Sequence, residues 1–284
     1  MCRQATHVAW EPNVKEPRHF IHYIPRRVVV HFPRDPRALW FADAQHASAG
    51  FRRPVFHKTR SQTGAATRVR KGDVIWIVSQ LDSPWGRLPP GIDARLCVRH
   101  IERDGDTKEI RFEASSRSVW LPLADARSVL ADLRTLSAQG RTSTPLWPHD
   151  GLGNRIGQYL QSMRELESAA PLIEWEKKLA GRPLSFVSYR ICDGTKHAFL
   201  KSKELLEQGR AVFWDRWCLP RRLAERREVV SDAALDRYLM IQLKACATVF
   251  GIESPLYSEP SSYSAKERDA ARHLGTYRSV GVAG

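Results

Sequence analysis

The feature that most constrains this chain is an alternation of short apolar runs and helical patterns between residues 184 and 274. The runs at 184–189, 211–214 and 248–253 have the length and the apolar content of buried strands. Helical patterns follow them at 196–208, 235–247 and 263–274. Strands and helices that alternate in this way predict an α/β region with a parallel sheet, and such sheets bind ligands at the carboxyl ends of their strands.

Polar and aromatic side chains follow each predicted strand, where this kind of fold places its chemistry. They are Ser188, Tyr189, Arg190 and Asp193 at and after the end of the first strand, Trp214, Asp215 and Trp217 at the second, and Ser262, Tyr263 and Glu267 after the third. Hydroxyl and guanidinium groups suit a pyrophosphate or a ribose, and aromatic rings suit a planar base. Alternatives stay open for three of them. Trp214 follows Phe213 in a buried run and also suits the core, as does Tyr189, and Glu267 has charged neighbours that are typical of a solvated helix face.

Residues 25–140 carry a different pattern, for which we predict an α+β domain made of a small β-barrel or sandwich with helices. Strand-like runs at 27–32, 73–79, 94–102 and 109–114 are separated by turn signals, and Asp104-Gly105 predicts a hairpin. Apolar residues at 129–136 predict a helix that ends at Gly140. We expect an extended arm over 1–24 and a helical connector over 141–183, with helices at 156–166 and 171–180.

A formal net charge of +14 predicts a polyanionic partner, since phosphate contacts drive binding that is independent of sequence. No acidic residue stands between Asp43 and Asp73, a stretch that we call the basic segment. Its cationic residues are Arg52, Arg53, Lys58, Arg60, Arg68, Arg70 and Lys71. The segment predicts a site for nucleic acid or a nucleotide; a solvated loop in a basic protein is the alternative. Lys71-Gly72-Asp73, leading into an apolar run, weakly resembles PUA-like barrels.

The five cysteines lack the paired spacing of a zinc site or a redox motif. His19, His22 and His31 are interpreted as isolated residues, so we predict neither a metal nor a bound cofactor. No run approaches the roughly 20 apolar residues of a membrane helix. The first residues offer no hydrophobic signal core. We therefore expect a cytoplasmic protein with no membrane partner.

Three stretches after residue 184 resemble the TIR (Toll/interleukin-1 receptor) domain. Residues 186–190 read Phe-Val-Ser-Tyr-Arg, with Asp193 shortly after, which looks like the first TIR strand. Residues 212–215 read Val-Phe-Trp-Asp, and Leu219-Pro220 follows, which looks like the second strand and the BB loop. Residues 254–257 read Ser-Pro-Leu-Tyr, and with 261–263 and Glu267 they are similar to the S-P-x-Y…S-x-W-x-x-x-E stretch.

The chain departs from the TIR pattern in three ways. Tyr263 replaces the usual tryptophan, and Arg221 and Arg222 stand where a glycine often follows the proline. The region 184–284 is expected to be C-terminally short of a full TIR sheet. We predict either a fourth strand at 277–282 or an edge that the first domain or another subunit covers, because an exposed edge invites pairing.

The resemblance implies a flavodoxin-like α/β fold and an NAD⁺-cleaving effector of bacterial antiphage immunity. NAD⁺ would be hydrolysed, or its ADP-ribose cyclised or conjugated, with nicotinamide released and NAD⁺ serving as substrate. Glu267 would lie against the nicotinamide-side ribose, and homo-oligomers would form through TIR contacts. The N-terminal domain would act as the sensor. The alternatives are a non-catalytic TIR scaffold and a nucleic-acid-binding sensor.

Overall fold

The computed structural model describes residues 16–27, 48–49, 53–60, 64–137, 142–148, 156–218, 232–260 and 262–282. Up to residue 180 the elements are β1 (His19–Tyr23), β2 (Arg26–Arg27), β3 (Ser48–Ala49), β4 (Phe56–Thr59), α1 (Gly64–Arg68), β5 (Val74–Ser79), β6 (Leu81–Ser83), β7 (Gly86–Arg87), β8 (Gly91–Arg103), β9 (Ile110–Ala114), β10 (Val119–Trp120), α2 (Arg127–Ala131), β11 (Arg134–Leu136), β12 (Ser143–Pro145), α3 (Ile156–Tyr159), β13 (Arg164–Glu165) and α4 (Ala170–Ala180). From residue 184 they are β14 (Leu184–Ser188), α5 (Ile191–Glu207), β15 (Ala211–Phe213), α6 (Asp215–Cys218), α7 (Asp232–Ala245), β16 (Thr248–Glu253), α8 (Tyr263–His273) and β17 (Tyr277–Gly281). The protein is therefore mixed α/β.

An eight-stranded sheet organises the first region, in the order β13-β1-β5-β8-β9-β4-β3, with β10 paired to β8. Most of its pairs are antiparallel, but β1 and β5 run parallel. Every residue of β5 is buried, as its continuous apolar sequence predicts. The predicted hairpin joins β8 to β9, and in its turn the Asp106 backbone N–H donates to Asp104 Oδ1 at 2.9 Å.

Three expectations for the first region differ from the structure. The arm predicted over 1–24 contains β1, whose Phe20 and Ile21 are fully buried between β5 and β13. The helix predicted over 129–136 ends at Ala131, because the following residues pair as β11 with β12. The helix predicted over 156–166 ends at Tyr159, because β13 pairs with β1. Non-local strand pairing overrides local helical spacing at both positions. Residues 28–32 and Gly140 lie outside the described residues.

A four-stranded sheet in the order β15-β14-β16-β17 organises the second region, and all its strands are parallel. The strand predicted over 248–253 is β16 with the same bounds, and α5 starts five residues before the predicted 196. Gly209 follows α5 with φ 74°, a conformation that glycine adopts without strain, and it ends the helix. The predicted fourth strand is confirmed, since β17 pairs with β16 along its whole length.

The two regions share hydrogen bonds and a core. The backbone N–H of Leu123 donates to the Val212 carbonyl at 3.0 Å, and the Val212 N–H donates to the Leu123 carbonyl at 2.7 Å. Leu81, Leu88 and Leu123 pack in the same buried cluster as residues of β14, α5 and β15. The N-terminal region thus covers the edge of the parallel sheet at β15.

Candidate functional site

A cavity of about 370 Å³ lies at the carboxyl end of β14, between α6, α7 and α8. Its lining residues are Phe186, Val187, Tyr189, Arg190, Ile191, Cys192, Asp215, Leu235, Leu239, Tyr263, Ser264 and Glu267. Most of its wall is apolar, and a few polar groups converge on it. That combination is typical of a small-molecule site in an α/β fold.

Glu267 is the most unusual of the lining residues, because its carboxyl group is buried and no cation among the described residues pairs with it. The residue is only 6% exposed, and Ser188 Oγ donates a hydrogen bond to its Oε2 at 2.6 Å. Burial raises the pKa of Glu267 to about 8, and the negative charges of Asp215 and Asp236 add to the rise, while the Ser188 hydrogen bond opposes it. A carboxyl group with this pKa gains or loses its proton near neutral pH.

The position of Glu267 follows from the start of α8. Ser262 is the N-cap of this helix, and its side chain accepts a hydrogen bond from the Ala265 backbone N–H at 3.0 Å. Residues 263, 264 and 267 then share one face of the helix, since positions three and four apart are neighbours. This face is the one that α8 presents to the cavity. Ser262 therefore orients the helix and does not itself line the cavity.

Ser188 is held by a second hydroxyl, that of Tyr257. Tyr257 Oη donates to Ser188 Oγ at 3.0 Å, and the Tyr257 ring is fully buried in the loop after β16. Ser264 Oγ donates to the Tyr257 carbonyl oxygen at 2.8 Å and ties this loop to α8. Burial raises the pKa of Tyr257 above its ordinary range, so the phenol stays protonated.

The residues predicted after β14 take different places. Tyr189 lines the cavity, and its Oη donates to Asp215 Oδ1 at 2.7 Å. Arg190 also lines the cavity, and its guanidinium donates to Glu259 Oε2 at 2.6 Å. Asp193 does not line it.

Asp193 instead supports the loop after β16. Its Oδ1 accepts from Ser254 Oγ at 2.7 Å, and its Oδ2 accepts from the Leu256 backbone N–H at 2.9 Å. This loop carries Tyr257, so Asp193 fixes the position of the tyrosine that contacts Ser188.

The two tryptophans predicted as stacking surfaces lie in the core. Trp214 and Trp217 are each 0% exposed, and neither lines the cavity. Trp214 packs against Tyr189 and Phe199, with ring centroids 6.4 and 6.3 Å apart respectively. We therefore leave both tryptophans out of the proposed site. Tyr263 does line the cavity and remains the candidate aromatic surface. Leu219, Pro220 and the arginines after them lie outside the described residues.

Sequence reasoning missed three residues of this environment: Tyr257, Asp236 and Tyr277. Tyr257 stands inside the Ser-Pro-Leu-Tyr stretch, which was the available signal. The negative charge of Asp236 on α7 contributes to the raised pKa of Glu267. Asp236 Oδ2 accepts a hydrogen bond from Lys266 Nζ at 3.1 Å. Nothing in the local sequence of Tyr277 marks it.

Several cations of the basic segment are engaged by carboxylates. Lys58 Nζ lies 3.6 Å from Glu109, Arg60 Nε lies 4.0 Å from the same residue, and Arg68 lies 2.8 Å from Glu165. Arg53, Arg70 and Lys71 are exposed, and Arg52 lies outside the described residues. This pairing reduces the charge that a phosphate backbone would meet, so we make no proposal of nucleic-acid binding.

Within the described ranges, no group of three or more His, Cys, Asp or Glu side chains is placed to hold a metal ion. The same part of the chain contains no helix that is both long enough and apolar enough to cross a membrane.

No protein-family model matches this chain, and neither a curated protein nor a solved structure is similar enough to match it.

Proposed function

We propose that this protein cleaves NAD⁺ at the bond between nicotinamide and ribose, with Glu267 as the catalytic carboxylate. The observation that carries the proposal is a buried carboxyl group that lines a cavity at the carboxyl end of a parallel strand and has no cationic partner in the part of the chain that the structure describes. The TIR-like stretches support it, since they bring Ser188, Arg190 and Glu267 to one place. The strand order β15-β14-β16-β17 supports a flavodoxin-like arrangement.

The chemistry requires a fixed negative charge and no acid. Positive charge develops on the ribose as the glycosidic bond breaks, and nicotinamide leaves as a neutral molecule. A carboxylate beside the ribose stabilises this oxocarbenium-like state, as in glycosidases. At roughly 4 Å and an effective dielectric near 20, the attraction is about 4 kcal/mol. That energy corresponds to about a thousandfold in rate if it acts only in the transition state.

Glu267 has to be ionised to act in this way. In the free protein its pKa of about 8 keeps much of it protonated at neutral pH. The positive pyridinium ring of NAD⁺ favours the ionised form, since an opposite charge nearby lowers the pKa of a carboxyl group. The rate of nicotinamide release by the free enzyme is therefore expected to rise with pH up to about 8.

The other lining residues suit the rest of the substrate. A volume of about 370 Å³ is near the lower end of the range for ligand pockets, so the cavity would take the nicotinamide riboside end. Arg190 and Tyr263 both line the cavity. Arg190 would bind the pyrophosphate, and the Tyr263 ring would pack on a planar base. Tyr189 and Asp215 also line the cavity, and the hydrogen bond between them holds both side chains.

The direct test follows nicotinamide release from NAD⁺ by the purified protein and by Glu267→Gln. We expect a loss of about a thousandfold in the variant, because its amide cannot carry the charge. Glu204→Gln, on the exposed surface of α5, is the matched control and is expected to keep the full rate. Equal release by Glu267→Gln and the unchanged protein would remove Glu267 from the mechanism. Concentration-dependent assembly without any release would favour a non-catalytic TIR scaffold.

A further inference from the structure

The hydrogen bonds that end on Glu267 all point in one direction. Tyr257 Oη donates to Ser188 Oγ at 3.0 Å, and Ser188 Oγ donates to Glu267 Oε2 at 2.6 Å. The Tyr277 hydroxyl lies beside that of Tyr257, but it donates its own hydrogen to Glu253 Oε1 at 2.9 Å. The line of donors that ends on Glu267 therefore begins at Tyr257.

The ionised form of Glu267 requires this direction. A carboxylate has no hydrogen and can only accept, so Ser188 has to direct its single hydrogen to Glu267. Ser188 Oγ can then only accept from Tyr257, and Tyr257 has to donate. A protonated Glu267 imposes no such order, because its carboxyl group can donate as well as accept. The complete line of donors thus belongs to the ionised form.

The surroundings of Tyr257 make it a fixed donor. Its ring is fully buried, and burial raises its pKa, so the phenol keeps its hydrogen. Asp193 holds the loop that precedes it by accepting hydrogen bonds from Ser254 Oγ and the Leu256 backbone N–H. Gly251 leaves room for the hydroxyl, since a Cβ atom there would lie 2.6 Å from Tyr257 Oη. A hydroxyl held in this way needs no reorganisation when Glu267 loses its proton.

We propose that Tyr257 is a positioning residue that stabilises the ionised form of Glu267 through Ser188. Donation by Tyr257 polarises the Ser188 hydroxyl and strengthens its hydrogen bond to the carboxylate, because hydrogen bonds in a chain reinforce one another in a low-dielectric interior. The importance of this role for catalysis rests on the proposed function, in which Glu267 has to be ionised. Tyr257 does not line the cavity, so it acts on the reaction only through Ser188.

The other charged and titratable groups around Glu267 lie on several elements. Burial is the main cause of the raised pKa of Glu267, and the negative charges of Asp215 on α6 and Asp236 on α7 add to it. Lys266 pairs with Asp236. The cavity is also lined by Tyr189, Arg190, Cys192 and Tyr263. Tyr257→Phe changes the charge of none of these groups, so a change in the proton affinity of Glu267 can be assigned to the missing hydroxyl.

The experiment measures the titration midpoint of Glu267 without NAD⁺, so its outcome is independent of whether the protein cleaves that substrate. The full chain is labelled with ¹³C at the glutamate carboxyl carbons, and Glu267→Gln assigns the resonance. We expect Tyr257→Phe to raise the midpoint by about 0.5 to 1 pH unit, the shift that corresponds to one hydrogen bond. Ser188→Ala should raise it by about 1 to 2 units, because its hydrogen bond to the carboxylate is direct and charge-assisted.

Two further variants separate action through Ser188 from a general structural effect. In the Ser188→Ala background, Tyr257→Phe should add no further shift, because the group through which it acts is absent. Tyr277→Phe is the matched control, since it makes the same change at the neighbouring phenol, whose hydrogen goes to Glu253. Its midpoint for Glu267 is expected to equal that of the unchanged protein.

Gly251→Ala covers the case that Tyr257→Phe does not fold. Its added methyl group displaces the Tyr257 hydroxyl without removing it, so the midpoint should rise as well. The proposal would be overturned by an unshifted or lowered midpoint in whichever of these two variants folds, by an equal shift in Tyr277→Phe, or by a full effect of Tyr257→Phe in the Ser188→Ala background.

A separate measurement of nicotinamide release distinguishes this proposal from the proposed function. The pH profile of the rate should move upward in Tyr257→Phe by the same amount as the midpoint of Glu267. A raised midpoint in a protein that releases no nicotinamide would contradict the proposed function and would still support the role of Tyr257.

Discussion

The two regions of this protein bury carboxylates in opposite ways. In the first region Asp73 and Glu165 are 5% and 8% exposed, and arginines compensate both. Arg18 lies 2.8 Å from Asp73, and Arg68 lies 2.8 Å from Glu165. In the second region Glu267 is 6% exposed, contacts the hydroxyl of Ser188, and experiences the like charges of Asp215 and Asp236.

The contrast separates a structural carboxylate from a candidate functional one. A buried charge is costly unless it is paired, and the arginines of the first region supply that pairing. Glu267 avoids the cost by holding a proton, which its raised pKa permits. When a buried carboxyl group of this kind is ionised, it destabilises the folded protein. Buried carboxyl groups with raised pKa values concentrate at functional sites. The difference can be tested by making the same Glu→Gln change in both regions.

The largest expected effect is the dependence of stability on pH that Glu267 introduces. Its pKa is about 8 in the folded protein against an ordinary value of 4.5, so the folded state binds the proton more tightly than the unfolded chain. The resulting stabilisation is complete below about pH 4.5 and is lost as the pH rises to about 8. Glu267→Gln should remove this loss and be more stable than the unchanged protein above pH 8, by at most about 5 kcal/mol.

Urea unfolding at a series of pH values from 5 to 9 measures this effect. The difference in the free energy of unfolding between Glu267→Gln and the unchanged protein should grow from pH 5 to about pH 8 and level off above it. A constant difference would show that Glu267 is ionised throughout and that the contrast between the two regions is mistaken.

A smaller effect of opposite sign is expected for Glu165→Gln. This change removes the carboxylate that lies 2.8 Å from the half-buried guanidinium group of Arg68, whereas Arg18 keeps its ion pair with Asp73. Breaking such a pair should lower the free energy of unfolding by about 3 kcal/mol at neutral pH. Glu174→Gln on α4, which removes an exposed pair with Lys178, should change it by less than about 0.5 kcal/mol and is the control. Equal effects of the two changes would show that the buried ion pair contributes no more to the free energy of unfolding than the exposed pair does.

The smallest expected effect concerns the ion pair at the mouth of the cavity. Arg190 donates to Glu259, and the two side chains are 33% and 50% exposed. Glu259→Gln removes an acceptor that competes with a substrate pyrophosphate. The KM for NAD⁺ should fall by a factor of about 2 to 5, the range that corresponds to an exposed ion pair, while kcat stays the same. A higher KM would indicate that Glu259 orients Arg190 for the substrate and does not compete with it.

Local patterns predicted the second region well because its elements depend on neighbouring residues. The bounds of β16 follow from a short apolar run, and α8 begins at the residue that the pattern predicts. The strand β17 was one of two alternatives that the sequence left open. In the first region the helices predicted over 129–136 and 156–166 were too long. Their C-terminal halves form strands whose partners lie elsewhere in the chain, and periodicity does not contain that information.

The candidate site divides in the same way. Ser188 and Glu267 were predicted as site residues, but their hydrogen bond joins positions 79 residues apart. Tyr277 could not be predicted, because its contact with Glu253 depends on how β16 and β17 align. Trp214 shows the opposite limit, since a residue next to a predicted loop can still point into the core. Residue types at strand ends indicate candidates, and packing decides which of them reach the cavity.

The backbone bonds between Leu123 and Val212 have a consequence for how the second region behaves alone. A fragment that begins at residue 184 would contain every residue that lines the cavity. It would nevertheless leave the Val212 N–H and carbonyl open on an edge strand, and open edges pair readily with other chains. Self-association of that fragment would then reflect the missing N-terminal neighbour, so assembly has to be measured on a chain that contains both regions.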